Sequence, residues 1–190
     1  NGFGRIGRGI LRIVHGRDDM DIVAINDLYE PQALAYLFKY DTVMGTFQQP
    51  IGYADGKLTV GSDDVIELLS ECDPGALPWG DLGVDLVIEA TGVFRTRASL
   101  EPHLQAGAKK VILTVPPKDD VDAIVVLGVN DELLRPEHQI VSNASCTTNC
   151  LAPVAKVLND QFGLRRGFMT TVHAYTNDQR LADVPHKDFR

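Results

Sequence analysis

Nothing in this 190-residue chain stays apolar long enough to cross a bilayer. The longest such run, residues 123–129, falls far short of the roughly 20 residues a membrane helix needs. Cysteine is scarce: Cys72, Cys146 and Cys150 are odd in number and contain no C-x-x-C pair. That argues against a disulfide scaffold or a zinc site, no metal is expected, and a reducing, cytoplasmic setting fits best. Basic residues are in deficit, 18 Lys and Arg against 26 Asp and Glu, for a net charge of −8. With no basic run to gather phosphates, specific nucleic-acid binding is not expected. The opening residues Asn1-Gly2-Phe3-Gly4-Arg5 lack the apolar core of a secretion signal. Internal repeats and low-complexity stretches are missing too. What is present is 44% hydrophobic and 23% charged, with Val, Ile and Leu spread throughout. This composition excludes disorder and supplies a sizeable core for one or two domains.

Short Val/Ile-rich runs alternate with helical patterns, which reads as α/β with a mainly parallel sheet. The strands are expected over residues 22–26, 86–90, 111–115, 123–127 and 140–142. Helices are expected over residues 8–16, 32–40 and 98–108. Asp55-Gly56 is a hairpin signal between Ile51-Gly52-Tyr53 and Lys57-Leu58-Thr59-Val60, so residues 53–69 read as an antiparallel excursion. Residues 73–80, rich in Pro and Gly, return the chain to the parallel sheet. A strand hands over to a helix at residues 142–146, and Leu151, Val154, Ala155, Leu158 and Phe162 keep helical spacing beyond it. Residues 168–174 read as a further strand. The domain boundary is expected near residue 145, giving units 1–145 and 146–190. The chain opens in a glycine turn with no strand before it and stops in a charged run, so it reads as a fragment cut at both ends.

Gly2, Gly4 and Gly7 spell G-x-G-x-x-G. In a dinucleotide-binding turn the first glycine makes the bend, the second leaves room for a pyrophosphate, and the third lets helix and strand pack closely. The helix that follows offers free N–H groups and a partial positive charge. Asp27 lies 20 residues after Gly7, at the end of the next expected strand. An acid there accepts hydrogen bonds from an adenosine ribose and repels a 2′-phosphate, which favours NAD. The alternative is a glycine-rich surface turn and a helix-capping Asp.

Cys146 falls where a strand ends and a helix begins, a place that stabilises a thiolate. Ser145, Thr147 and Thr148 add hydroxyls that cap the helix or hold an anion. Cys150 lies one turn further in, and a small buried side chain is its expected role. Taken alone, Cys146 reads as a structural thiol by default. A catalytic reading needs a base, and His173, on the expected 168–174 strand, is the candidate. Sequence separation leaves open whether the two meet, and a lone His on a strand is more often a structural residue than a base. His15 falls in the first expected helix, His103 and His138 in polar, surface-like segments, and His186 in a charged loop.

Three words of the sequence resemble the phosphorylating glyceraldehyde-3-phosphate dehydrogenase family. NGFGRIGR at residues 1–8 is similar to its opening signature, SNASCTTNCLAP at 142–153 to its active-site signature, and MTTVHAYTNDQR at 169–180 to its next catalytic segment. The likeness extends over the whole chain and implies about the first half of a longer protein. It implies a Rossmann-type doubly wound parallel sheet, its first strand missing ahead of Asn1, followed by the start of an α+β catalytic domain.

By that resemblance Cys146 is the nucleophile and His173 its base. Arg5 and Ile6 meet the cofactor pyrophosphate through the helix start, alongside Gly2, Gly4 and Gly7. Asp27 holds the adenosine ribose, Thr91, Gly92 and Phe94 line the dinucleotide, and Thr114 lies near its middle. Ser145, Thr147 and Thr176 bind phosphate groups. The implied cofactor is NAD, the substrates glyceraldehyde 3-phosphate and inorganic phosphate, and the assembly a homotetramer. The family's further arginine and asparagine lie downstream, so residues 1–190 alone are expected to be inactive, a dinucleotide-binding module without turnover. Cys72 departs from the family, which often has an arginine there near the adenine; neutral packing is its expected role. Erythrose-4-phosphate dehydrogenase, a relative that hydrolyses its thioester, is the nearest alternative. Ala174-Tyr175-Thr176-Asn177 favours phosphorolysis instead. Asp27-Leu28 and Val184-Pro185 favour NAD over NADP.

Overall fold

The computed structural model describes residues 1–62 and 64–176. The chain divides into two units, Asn1–Pro153 and Val154–Arg190.

In the first unit, the glycine turn leads into α1 (Arg5–Val14), then β1 (Ala24–Asn26) and α2 (Pro31–Lys39). Pro31 starts α2 at the one place where a missing N–H costs nothing. One short antiparallel pair follows, β2 (Tyr40–Asp41) with β3 (Gly45–Thr46), and then the strands β4 (Ile51–Ala54), β5 (Lys57–Val60) and β6 (Asp64–Leu69). Asp55 and Gly56 both take positive φ, 52° and 77°, so the expected hairpin forms where expected, because that turn needs residues tolerant of the left-handed region. The rest of the unit is β7 (Leu86–Glu89), α3 (Arg97–Gln105), β8 (Lys110–Leu113), β9 (Ala123–Ile124) and β10 (Ile140–Ser142).

Beside the two-stranded β2-β3 pair, these strands form two four-stranded sheets, ordered β1-β6-β5-β4 and β7-β8-β10-β9. β1 and β6 run parallel, while β6-β5-β4 is the antiparallel excursion. All pairs of the second sheet are parallel. β9 is shorter than the 123–127 run suggested; beyond Ile124 the chain turns, with Asn130 Oδ1 accepting from the Val126 N–H at 2.7 Å. Asn1 and Gly2 join the sheets. The Gly2 N–H donates to the Asn26 carbonyl at 2.8 Å, the Asn1 N–H to Ile88 at 2.9 Å, and the Ala90 N–H to Asn1 at 2.8 Å. Beneath this junction an apolar groove of about 500 Å³ runs between β1 and β7.

Each sheet has its own core. Phe3, Leu11, Leu34, Phe38, Leu58 and Ile66 pack on the first, and Trp79, Val87, Leu100, Val111, Leu113 and Ile140 on the second. Each such side chain contributes roughly 1.5–3 kcal/mol by leaving water.

α4 (Cys146–Phe162) begins in the first unit and carries no buried residue. The expected strand over 168–174 does not form: residues 165–176 have no helix or strand, and Phe168 and Val172 are fully exposed. A strand exists only where a neighbour takes its N–H and C=O groups, and the described residues provide none there. Asn177, Val184, Pro185 and His186 lie outside the described residues. No helix among the described residues is long and apolar enough to cross a membrane.

Candidate active site

The segments singled out from the sequence follow the ends of parallel strands. Asp27 follows β1, Thr91 and Gly92 follow β7, Thr114 follows β8, and Cys146 opens the helix after β10. In open α/β sheets the carboxyl ends of parallel strands are where ligands bind, because loops and helix N-termini gather there.

The three glycines have separate physical reasons. Gly2 has φ +91°, and a Cβ on it would lie 2.7 Å from the Thr91 nitrogen. A Cβ on Gly7 would lie 2.2 Å from the Gly2 carbonyl oxygen, so only glycine lets α1 lie against the turn. A Cβ on Gly4 would meet nothing within 4 Å. That open face sits at the start of α1, where the Arg5, Ile6 and Gly7 N–H groups precede the first intrahelical bond, from Arg8 to the Gly4 carbonyl at 3.0 Å. An anionic group fits there, against N–H donors and the positive end of the helix.

Asp27 is half-buried and already engaged. Its Oδ2 accepts from the Phe3 N–H at 2.7 Å and its Oδ1 from the Tyr29 N–H at 3.0 Å. A carboxylate has about four acceptor positions, so two remain for further donors. The Arg5 guanidinium is turned to Asp41, 2.6 Å away. The Met44 N–H above all, with Arg5 and the Val43 N–H, holds the Asp41 carboxyl well below the usual carboxylate range, against the push of burial. What Arg5 offers a phosphate is therefore its backbone N–H.

Thr91 is tied to Glu89, the last residue of β7, through both its N–H and its hydroxyl. The Thr114 N–H and hydroxyl both donate to the Glu89 carbonyl, at 3.1 Å each. Phe94 is half-buried against the second core and meets the His103 ring edge-on, centroids 6.4 Å apart.

Cys146 is the first residue of α4 and is exposed. Ser145 caps that helix: its Oγ accepts from the Thr148 N–H at 2.9 Å and lies 2.7 Å from Thr148 Oγ1. Ala144 is buried at φ +65°, a conformation that costs a non-glycine residue about 1–3 kcal/mol. Its N–H donates to Ser142 Oγ at 3.0 Å, which fixes the bend delivering Cys146 to the helix start. Thr147 is half-buried in the first turn. Cys150, expected to be a small buried side chain, is exposed, because α4 buries none of its faces among the described residues. Cys72 is exposed as well, so it does not fill a core position. His173 and Thr176 belong to the second unit; both are exposed, and His173 Nδ1 lies 2.5 Å from the Ala174 carbonyl oxygen.

One polar cluster escaped sequence reading. His103, placed by its polar neighbours on the surface, is completely buried between Trp79 and Glu89. The available signal was Glu89 itself, an acid ending the apolar run Leu86-Val87-Ile88: a buried carboxylate requires nearby donors.

Residues 1–97 match the family described as glyceraldehyde 3-phosphate dehydrogenase, NAD binding domain, and residues 145–190 match its C-terminal domain. The chain is 55% identical to a glyceraldehyde-3-phosphate dehydrogenase of Thermotoga maritima over 192 aligned residues, covering all of this chain and 57% of that protein. It is 53% identical to the Priestia megaterium enzyme of that name and 51% identical to that of Geobacillus stearothermophilus, covering all of this chain and 56% of each. The chain thus spans somewhat more than half the length of the curated relatives it matches.

Proposed function

The chain belongs to the glyceraldehyde 3-phosphate dehydrogenase family, with NAD as its cofactor, and on that premise we propose that the whole protein oxidises and phosphorylates glyceraldehyde 3-phosphate to 1,3-bisphosphoglycerate. The observation that carries this reading is one edge of the fold. There an open glycine face starts a helix, while a carboxylate with spare acceptors and a thiol at a second helix start follow the ends of parallel strands.

In this reading the Arg5, Ile6 and Gly7 N–H groups hold the pyrophosphate over Gly4. Asp27 takes the adenosine ribose and repels a 2′-phosphate. Thr91, Gly92, Phe94 and Thr114 line the rest of the dinucleotide. When bound, NAD supplies the acceptor for the electron pair leaving the substrate carbon. Cys146, held at the start of α4, attacks the aldehyde carbon as thiolate and forms a thiohemiacetal. His173 takes the hydroxyl proton as that carbon is oxidised to the thioester. Inorganic phosphate then attacks the thioester carbon and Cys146 leaves as thiolate, giving the acyl phosphate. Ser145, Thr147 and Thr176 hold the anionic phosphates through charge-assisted hydrogen bonds from neutral hydroxyls. The proposal places the protein in the cytoplasm as a homotetramer, in glycolysis or gluconeogenesis.

The test is turnover by the full-length protein with glyceraldehyde 3-phosphate, NAD and phosphate, followed by reduced-nicotinamide absorbance. Activity that requires phosphate and disappears in Cys146→Ser is expected. Phosphate-independent turnover would instead favour the hydrolytic chemistry of erythrose-4-phosphate dehydrogenase. No turnover with either aldehyde would overturn the reading.

A further inference from the structure

Glu89 is completely buried, and among the described residues no lysine or arginine side chain bonds to it. Four neutral donors converge on it instead. Oε1 accepts from the Thr91 N–H at 2.8 Å and from the Thr91 hydroxyl. Oε2 accepts from Asn1 Nδ2 at 2.6 Å and lies 3.2 Å from His103 Nε2. The far side of the imidazole fixes its tautomer. Trp79 Nε1 lies 3.0 Å from His103 Nδ1, and an indole N–H only donates. Nδ1 is therefore the acceptor, and the ring proton sits on Nε2, directed at Glu89.

The chain of bonds continues beyond Asn1. Asn26 Nδ2 donates to Asn1 Oδ1 at 2.7 Å, and Asn26 Oδ1 accepts from the Glu71 N–H at 2.7 Å. A continuous line of side chains thus runs from Trp79 through His103, Glu89, Asn1 and Asn26, crossing the ends of β7, β1 and β6. It bonds directly to Thr91, on one side of the dinucleotide cleft, and to Asn1, next to the glycine turn on the other. Such a buried anion is not needed for packing, since apolar residues of similar volume often stabilise a core equally well. What it does provide is direction, because each acceptor position fixes one turn.

We propose that Glu89 and His103 are positioning residues for NAD: the Glu89 carboxylate, oriented by His103, sets the spacing between the Gly2 turn and the Thr91-Gly92 turn without touching the cofactor. The proposal rests on the dinucleotide reading of this cleft. In agreement with it, burial pushes the Glu89 carboxyl up, but bonds from His103, Thr91 and Asn1 outweigh that and hold it below its ordinary value.

The experiment uses full-length protein and measures NAD affinity by titration, melting temperature, and kcat at saturating NAD. His103→Leu keeps the volume and loses the donor; it should bind NAD about tenfold more weakly, with kcat within about twofold. His103→Gln still carries a donor for Glu89 and should recover most of that affinity. Glu89→Gln presents an N–H pair to donors that need an acceptor, and should weaken NAD binding at least as much. If His103→Leu does not fold, Glu89→Gln and His103→Gln decide. A lowered melting temperature with wild-type NAD affinity would make the cluster structural and overturn the proposal. Wild-type protein that fails to bind NAD would overturn the dinucleotide reading itself, and this proposal with it.

Discussion

Asp27 accepts a hydrogen bond from the Phe3 N–H at 2.7 Å, so the acid that ends the β1 segment also holds the glycine turn in shape. Removing it has two consequences that different substitutions separate. Asp27→Gly deletes the charge and frees the Phe3 N–H. Asp27→Asn keeps an oxygen for Phe3 and loses the charge together with the acceptor of the solvent-exposed Tyr29 N–H. Asp27→Asn should therefore keep its melting temperature while the ratio of kcat/KM for NAD over NADP falls. Asp27→Gly should lose stability as well, by roughly the 1–3 kcal/mol of an unsatisfied buried group. The measurement is kcat/KM with both cofactors beside thermal melts; an unchanged cofactor ratio in both variants rules out the ribose role.

Two glycine substitutions in the same turn should fail differently. Gly7→Ala drives a methyl into the Gly2 carbonyl, 2.2 Å away, and should cost about 1–3 kcal/mol of overpacking. Gly4→Ala meets nothing within 4 Å and should fold normally. Its methyl occupies the open face that the proposed reading gives to the pyrophosphate, so NAD affinity should drop about tenfold while stability does not. Melting curves and NAD titrations of the two proteins make the comparison. Wild-type affinity in Gly4→Ala would move the pyrophosphate elsewhere.

The three cysteines are all exposed, so access does not rank their reactivity. Only Cys146 starts a helix, where the dipole and free N–H groups favour the thiolate; Cys150 lies one turn inside it. In the full-length protein near neutral pH, iodoacetamide should label Cys146 first, with activity lost in step. Peptide mapping at partial modification reads the order. Equal labelling of all three, or full activity after Cys146 is blocked, would contradict its role as nucleophile.

Acid should act through Asp122. Burial pushes this carboxyl up, but the Ile140 and Gln139 N–H groups and the Arg97 guanidinium, 2.5 Å away, pull it down to about 2. A carboxyl depressed on folding stabilises above its unfolded value, near 3.9, and that contribution disappears as pH falls through the folded value. Asp122→Ala should cost about 1–2 kcal/mol at neutral pH, allowing for the partly exposed ion pair. The difference from the parent protein should narrow between about pH 4 and 2. Denaturant melts across that range test it; a constant difference would assign the loss to packing.

Local signals were legible in the sequence because local forces decide them. Glycine spacing set the turn before α1, Asp55-Gly56 set the β4-β5 hairpin, Pro31 marked the start of α2, and the Val/Ile runs marked β7, β8 and β10. Each depends on backbone sterics or on burial of neighbours a few residues apart. Cys146 at a helix start was readable for the same reason. What depended on distant partners was not. His103 looks like a surface residue among Glu101, Pro102 and Gln105; it is buried because Trp79 and Glu89, 24 and 14 residues away, supply the donor and acceptor that make burial affordable. Phe168 to Ala174 has strand composition, yet no strand forms there among the described residues. Asp27 showed its place in the sequence but not its bond to Phe3, 24 residues away, which only the approach of β1 to the glycine turn creates. The sequence by itself determined which groups could bind a dinucleotide and activate a thiol. Tertiary structure decided which turns are fixed to which, because a hydrogen bond between remote residues forms only after the sheets have brought its two ends together.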